Sequence, residues 1–366
     1  MNLSITVNGI KFPNPFLLGS GPPGTNARVI AKSFDAGWGG VVAKTVSLES
    51  AKVINVVPRY GRLRSRDKGE IIGFENIELI SDRPIDVWIQ EFREIKKEYP
   101  EHILIASIME EYDKARWQEL TRMVQDTGVD AFELNFSCPH GMPERRMGSE
   151  MGEHPDLTQE VTSWVTEVAT IPVWAKMTPN ITNIREPSMA AVRGGAVGVS
   201  AINTILSVIG VDLETLRPMP TVEGYTVPGG YSCQAVRPIA LRMVSQLAQS
   251  LPEGVSISGI GGIENSHDAL EFMLLGASTV QLCTGVMLHG IKIIDELKEG
   301  VAKFMVDKQF ETVADIVGKS IPYFSTHMNL VERMKEAKRH KGGESSRDND
   351  WAEKSITEKT AELTSN

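Results

Sequence analysis

The feature that most constrains this chain is an alternation. Eight short apolar runs, at residues 16–20, 41–45, 103–108, 132–136, 172–177, 198–203, 255–259 and 279–284, are separated by segments with helical periodicity. Runs this short and this apolar suit a parallel sheet whose faces are covered by helices. The alternation fits a closed (β/α)8 barrel or an open doubly wound sheet. The run ends favour the barrel. Lys44, Asn135, Lys176, Asn203, Gly261 and Thr284 stand at the carboxyl ends of runs spread along the whole chain. In a barrel those ends converge on one mouth, whereas in an open sheet they would be strung along an edge. The spacing therefore predicts a TIM barrel over 1–332, preceded by a short hairpin that turns at Asn8-Gly9. Residues 49–76 and the stretch before residue 236 read as long irregular loops. Residues 333–366, charged and poor in apolar residues, read as a flexible tail.

Composition narrows the classes. Of 366 residues, 41% are hydrophobic and 23% charged, as in an ordinary globular protein. A net charge of −9 disfavours nucleic acid or an anionic membrane as partner. No apolar run approaches the roughly 20 residues of a membrane span, and the first residues lack a secretory apolar core. Cys138, Cys233 and Cys283 are scattered and odd in number, which suits a reducing cytoplasm and offers no metal or iron–sulfur set.

Chemistry gathers in four places. In Phe132-Glu133-Leu134-Asn135-Phe136-Ser137-Cys138-Pro139-His140-Gly141, apolar residues alternate with polar ones until Pro139 ends the ladder. An amide, a hydroxyl and a thiol thus meet at one strand end. A single cysteine is more often a small buried hydrophobe than a catalyst, and His140 alone reads as a surface residue. Lys44 and Lys176 each end an apolar run, where a buried ammonium needs a partner or a ligand. Asn76, Asn135, Asn203 and Thr204 offer donors and acceptors that suit a cyclic amide, although any one asparagine equally suits a turn. Gly259, Gly261, Gly262 and Gly285, with Thr284 and Gly229-Gly230-Tyr231-Ser232, suit a phosphate at the last two strands, or tight turns. Trp38 and Trp174 read as packing.

Together these stretches resemble the pyrimidine-binding barrel of dihydropyrimidine dehydrogenases, notably the catalytic subunit of the bacterial two-subunit form. The resemblance runs from about residue 14 to 321. It is carried by Phe74-Glu75-Asn76-Ile77-Glu78-Leu79-Ile80-Ser81, Asn135-Phe136-Ser137-Cys138-Pro139-His140-Gly141-Met142, Ala175-Lys176-Met177-Thr178-Pro179-Asn180, Ala201-Ile202-Asn203-Thr204, Val236-Arg237-Pro238-Ile239-Ala240-Leu241 and Ile257-Ser258-Gly259-Ile260-Gly261-Gly262. The Asn-x-Ser-Cys-Pro piece is shared with dihydroorotate dehydrogenases. The resemblance implies an FMN enzyme that reduces the C5–C6 bond of uracil or thymine, with hydride from FMN N5 to C6 and a proton from Cys138 to C5. It implies that Asn76, Asn135, Ser137, Asn203 and Thr204 hold the pyrimidine. It implies that Gly19, Ser20, Lys44, Thr45, Lys176, Gly230, Ser232, Gly261, Gly262, Cys283 and Thr284 surround the cofactor.

The chain departs from the bacterial pattern in three places. The stretch after Arg333 carries no cysteine, so electrons are expected from a separate reductase or iron–sulfur subunit in a homo- or hetero-oligomer. Cys233 replaces a glycine after Ser232. Pro143 and Arg146 replace glycines in the loop bearing Gly141, Gly148 and Gly152, which reads as a lid. Two other readings compete: a dihydroorotate dehydrogenase or other cyclic-amide oxidoreductase, which would need an extra cation for a carboxylate, and a non-catalytic scaffold barrel, which would bind no flavin.

Overall fold

A computed structural model describes residues 1–138 and 147–339. The chain divides into two units, Met1–Ile321 and Pro322–Asn366. The second contains the helix His327–Arg339. Eight parallel strands close the first into a barrel: β1 Phe16–Leu18, β2 Gly40–Val42, β3 Ile103–Ile108, β4 Ala131–Phe136, β5 Val173–Met177, β6 Gly198–Ala201, β7 Ser256–Ile260 and β8 Thr279–Leu282. The ring closes where β8 pairs with β1, Val280 opposite Phe16. All eight apolar runs are thus barrel strands. Several ladders stop short of the polar residues that end the runs. Ser20, Lys44, Thr45 and Asn203 lie just beyond them, where the chain turns into a loop at the mouth, and Thr284 opens the short helix Thr284–His289.

The helices follow from capping and from one apolar stripe each. Asn26 caps Ala27–Ala36 by accepting from the Val29 N–H, and the helix buries Ile30 and Phe34 before Gly37 ends it in the left-handed region at φ 92°. Asp113 caps Lys114–Gln125 in the same way and buries Trp117, Leu120 and Val124. Trp38, Trp88 and Trp117 are fully buried outside the barrel strands, and Trp174, also fully buried, stands on β5 in register with Glu133. The hairpin Ile5–Val7/Ile10–Phe12 turns at Asn8 and Gly9, both at positive φ. Asn8 closes the floor of the barrel: its Oδ1 accepts from Trp174 Nε1 at 2.9 Å and from the Ser256 hydroxyl.

The stretches expected to be irregular are instead partly sheet. Tyr60–Arg64 and Ile71–Asn76 form a hairpin inside 49–76, and Ile205–Ser207 and Gly229–Ser232 lie in the stretch before residue 236. They make one antiparallel sheet in the order Ile205–Ser207, Gly229–Ser232, Ile71–Asn76, Tyr60–Arg64. Their strands are short and half-exposed, and Gly229-Gly230 looks like a turn, so no periodicity marks them. One glycine here is required by packing. A Cβ on Gly73 would lie 2.0 Å from the Tyr231 hydroxyl, so the ring can lie across that strand only if position 73 has no side chain.

Candidate active site

The carboxyl ends of the barrel strands and the covering sheet line a cleft. Its wall gathers Ser20, Lys44, Thr45, Asn76, Asn135, Cys138, Lys176, Asn203, Thr204, Ser232, Gly261, Gly262, Cys283 and Thr284. Those are most of the residues singled out above, drawn from both ends of the chain. Gly19, Ser137 and Gly230 stand just behind it. Ser137 is fully buried and ties two asparagines together: Asn135 Oδ1 accepts from its N–H and hydroxyl at 3.1 and 2.9 Å, and Asn203 Nδ2 donates to its carbonyl and hydroxyl at 2.9 and 3.0 Å. Gly230 accepts from Asn76 Nδ2 at 3.2 Å through its carbonyl. Gly19 packs beneath the wall, against Ile260 and Gln281.

These bonds fix what each amide has left to offer. Asn135 spends both Oδ1 lone pairs on Ser137 and one amide hydrogen on Thr45 Oγ1 at 2.9 Å, so a donor remains. Asn203 spends its amide group on Ser137 and one lone pair on the Thr204 N–H at 2.9 Å, so an acceptor remains. Asn76 keeps its carbonyl oxygen and one amide hydrogen. The cleft therefore presents donors and acceptors together, as a ring carrying adjacent C=O and N–H groups needs.

Two ammonium groups project from the barrel ends, and each has its own carboxylate. Lys44 Nζ stands 3.0 Å from Glu78, which also receives Arg59 at 2.9 Å and the Tyr60 hydroxyl at 3.3 Å. Lys176 Nζ stands 3.4 Å from Glu133, whose side chain is fully buried. Among the described residues that line the cleft, Lys44 and Lys176 are the only cations. Burial and Glu78 push the Tyr60 phenol above its ordinary value, so it remains a donor. Burial also raises the Cys283 thiol to about 11, against the pull of Lys176 and Lys44.

Cys138 faces the cleft at 6% exposure, packed among Ile80, Met109 and Met147. The returning chain crosses tightly above it. Gly148, at φ 60°, could carry no side chain, since a Cβ there would lie 2.6 Å from the Cys138 carbonyl. His140, Gly141, Pro143 and Arg146 lie outside the described residues. The opposite end of the cleft is built of backbone and hydroxyls. Gly261 and Gly262 are at positive φ, and the Ser232 and Thr284 hydroxyls meet at 2.8 Å. Cys233 adopts φ 78°, a conformation that favours glycine. Its side chain turns away from the cleft to Glu264 at 3.1 Å, where burial and that carboxylate raise the thiol to about 12. It does not line the wall, so it leaves that backbone uncrowded.

These features suit a flat cofactor with an anionic tail. Gln281 lines the cleft, and its Oε1 is buried with no hydrogen-bond partner in the protein. A ring N–H would satisfy it. The glycines and hydroxyls supply close donors for a phosphate. Sequence reasoning missed Tyr60, Glu78, Tyr231 and Gln281. Glu78 stood within the quoted segment 74–81, but nothing local to it signals that Lys44 and Arg59 converge there. Among the described residues, no three His, Cys, Asp or Glu side chains come together as a metal site. No described helix is long and apolar enough to cross a membrane.

Comparison with known proteins places the geometry in context. The family model for dihydroorotate dehydrogenase matches residues 2–305. A protein of Arabidopsis thaliana, "Dihydropyrimidine dehydrogenase (NADP(+)), chloroplastic", is 54% identical over 377 residues, covering 100% of this chain and 88% of its own. The NAD-dependent dihydropyrimidine dehydrogenase subunit PreA of Escherichia coli K12 is 44% identical, covering 87% of this chain and 76% of its own. The catalytic subunit of dihydroorotate dehydrogenase B (NAD(+)) of Pyrococcus abyssi is 36% identical, covering 87% and 99%. A solved structure of dihydroorotate dehydrogenase from Eimeria tenella, in complex with ferulenol, superposes with a TM-score of 0.72 at 19% identity, covering 87% and 88% of the two chains, a likeness of fold.

Proposed function

We propose that this chain, which belongs to the dihydroorotate dehydrogenase family, is an FMN-dependent oxidoreductase that reduces the C5–C6 double bond of uracil or thymine. The relatives named dihydropyrimidine dehydrogenase support the activity. The observation that carries the choice of substrate is the charge pairing. Both cations among the described residues lining the cleft are matched, Lys44 by Glu78 and Lys176 by Glu133, so neither is spare for a substrate carboxylate. The remaining donor of Asn135 and acceptor of Asn203 suit a neutral imide instead.

Lys44 and Lys176 would border the cofactor ring, with Gly261, Gly262, Ser232, Cys283 and Thr284 around its phosphate and Ser20 and Thr45 along the wall. When bound, FMN supplies the hydride that C6 receives. The protein's own part is orientation and a proton. Asn76, Asn135, Asn203 and Thr204 hold the imide edge, with Ser137 fixing the two central amides. Cys138, protonated in its apolar niche, gives its Sγ proton to C5. Electrons come from a partner: the E. coli and Pyrococcus relatives are named as subunits, which supports a reductase partner.

Replacing Cys138 by Ala should leave flavin bound while slowing pyrimidine reduction by about 10²–10⁴-fold. Wild-type turnover in that variant would remove the proton-donor role. Anaerobic reoxidation of the reduced protein should proceed with uracil or thymine. Reoxidation by orotate alone would instead make it a dihydroorotate dehydrogenase in activity, and a protein that takes up no FMN would be a scaffold.

A further inference from the structure

The mechanism uses Lys176 but leaves its carboxylate, Glu133, unexplained. Glu133 is on β4 inside the barrel, two residues before Asn135, which pairs in register with Lys176 on β5. It is fully buried. Its Oε2 is held from two sides, by the Ser200 hydroxyl and by Gln281 Nε2, both at 2.7 Å. Gln281 Nε2 also reaches the Ser200 and Ser258 hydroxyls at 3.2 and 3.1 Å, and Thr279 donates to Ser258 at 2.9 Å. This layer comes from β4, β6, β7 and β8 and directly underlies the cleft. Oε1 has no hydrogen-bond partner. Its contact with Lys176 Nζ, at 3.4 Å, is longer than a charge-assisted hydrogen bond of about 2.7–2.9 Å. The pair is thus coupled by charge rather than by a tight bond, and the layer pins the carboxylate beneath the ammonium.

We propose that Glu133 is a positioning residue that sets the effective positive charge Lys176 presents to the flavin, and so tunes how readily the bound cofactor accepts electrons. The proposal rests on the FMN reading above. A fixed negative charge beneath the ammonium partly cancels its field at the ring. In a water-poor barrel interior such a field is screened less than in bulk solvent. Removing the carboxylate while keeping its shape leaves a bare ammonium below the ring, which stabilises the negative charge gained on reduction.

The test is Glu133→Gln in the FMN-loaded protein, read by the midpoint potential of the flavin and by its affinity for sulfite, which adds to flavins as an anion. Sulfite affinity should rise about tenfold, and the potential should rise by the equivalent of about 30 mV for a two-electron couple. The same substitution made in a Lys176→Met background, where the buried carboxylate has lost its counter-charge and is neutralised rather than left ionised, should move neither. A purely structural role would lower stability and leave the potential in place, or shift it equally in both backgrounds, and either result overturns the assignment. If Glu133→Gln does not fold, Glu133→Asp keeps the charge but withdraws it by one methylene, and a smaller rise in sulfite affinity is expected. An unchanged affinity in that variant also overturns it. Wild-type protein that binds no FMN would overturn the functional reading itself. Bound FMN with no coupling between residues 133 and 176 overturns only this inference.

Discussion

The two lysine–carboxylate pairs of the cleft have the same composition and different construction. Lys176 and Glu133 both stand on barrel strands, on neighbours whose register is locked by five ladder pairs. Their side chains are 4% and 0% exposed. Lys44 leaves the barrel at the end of β2, but its partner Glu78 follows the covering sheet and is shared with Arg59 and Tyr60. The first pair is internal to the barrel. The second joins the barrel to its cover, and its carboxylate keeps other donors if the lysine is lost. Charge in the floor is therefore fixed by the fold, whereas charge in the roof depends on how the covering sheet seats.

This contrast can be broken most forcefully at Lys176. Lys176→Met strands a buried carboxylate and should cost about 3–5 kcal/mol of stability, read by urea unfolding of the apoprotein, with much of it recovered in Lys176→Met/Glu133→Gln. A loss no greater than that at Lys44 would erase the distinction. Lys44→Met should cost less, about 1.5–3 kcal/mol, because Glu78 retains Arg59 and Tyr60. The smallest effect is expected at Cys283, which lies between the two pairs. Its thiol is raised to about 11 by burial, lowered by Lys176 and Lys44, and raised by Glu78. Glu78→Gln should lower it and speed alkylation of the apoprotein by iodoacetamide a few-fold, roughly the effect of a few tenths of a pKa unit. Glu133→Gln should not.

The same thiol gives a pH dependence with a definite sign. Its folded value of about 11 lies above the roughly 8.5 of an unfolded cysteine, so the native state binds that proton more tightly. The resulting stability is fully present below about pH 8.5 and is lost as pH rises towards 11. Cys283→Ser should make the fall in unfolding free energy over that interval shallower, with the remainder left by Cys233, whose buried thiol is raised to about 12. An equally steep fall in the variant would place the titration elsewhere.

The barrel was legible because its strands are short, mostly apolar runs, and because Lys44, Asn135 and Lys176 stand at or near the ends of theirs. The covering sheet was not. Tyr60-Gly61-Arg62-Leu63-Arg64, an edge strand, reads as a basic loop, and the inner strand Gly229-Gly230-Tyr231-Ser232 reads as a phosphate turn, since neither is long or apolar enough to show a period. Glu78 was hidden for a related reason. A carboxylate's role depends on which cations reach it, and Lys44 and Arg59 reach it only once the hairpin has folded back over β2. Cys138 was visible as chemistry but not as environment: Ile80, Met109 and Met147, which make its niche apolar, come from three separate segments.

The pairing of β8 with β1 also has a consequence in time. Ser20 and Lys44 leave the ribosome well before Gly261 and Thr284, which line the same cleft. Until Leu282 has emerged, Phe16 has no partner from β8 and the ring stays open. The early half of the wall must wait as a partial sheet with an unpaired edge, the kind of intermediate most exposed to aggregation during synthesis. The pocket therefore cannot be complete until β8 has emerged, and a nascent chain halted before Thr279 should expose that edge and hold no cofactor.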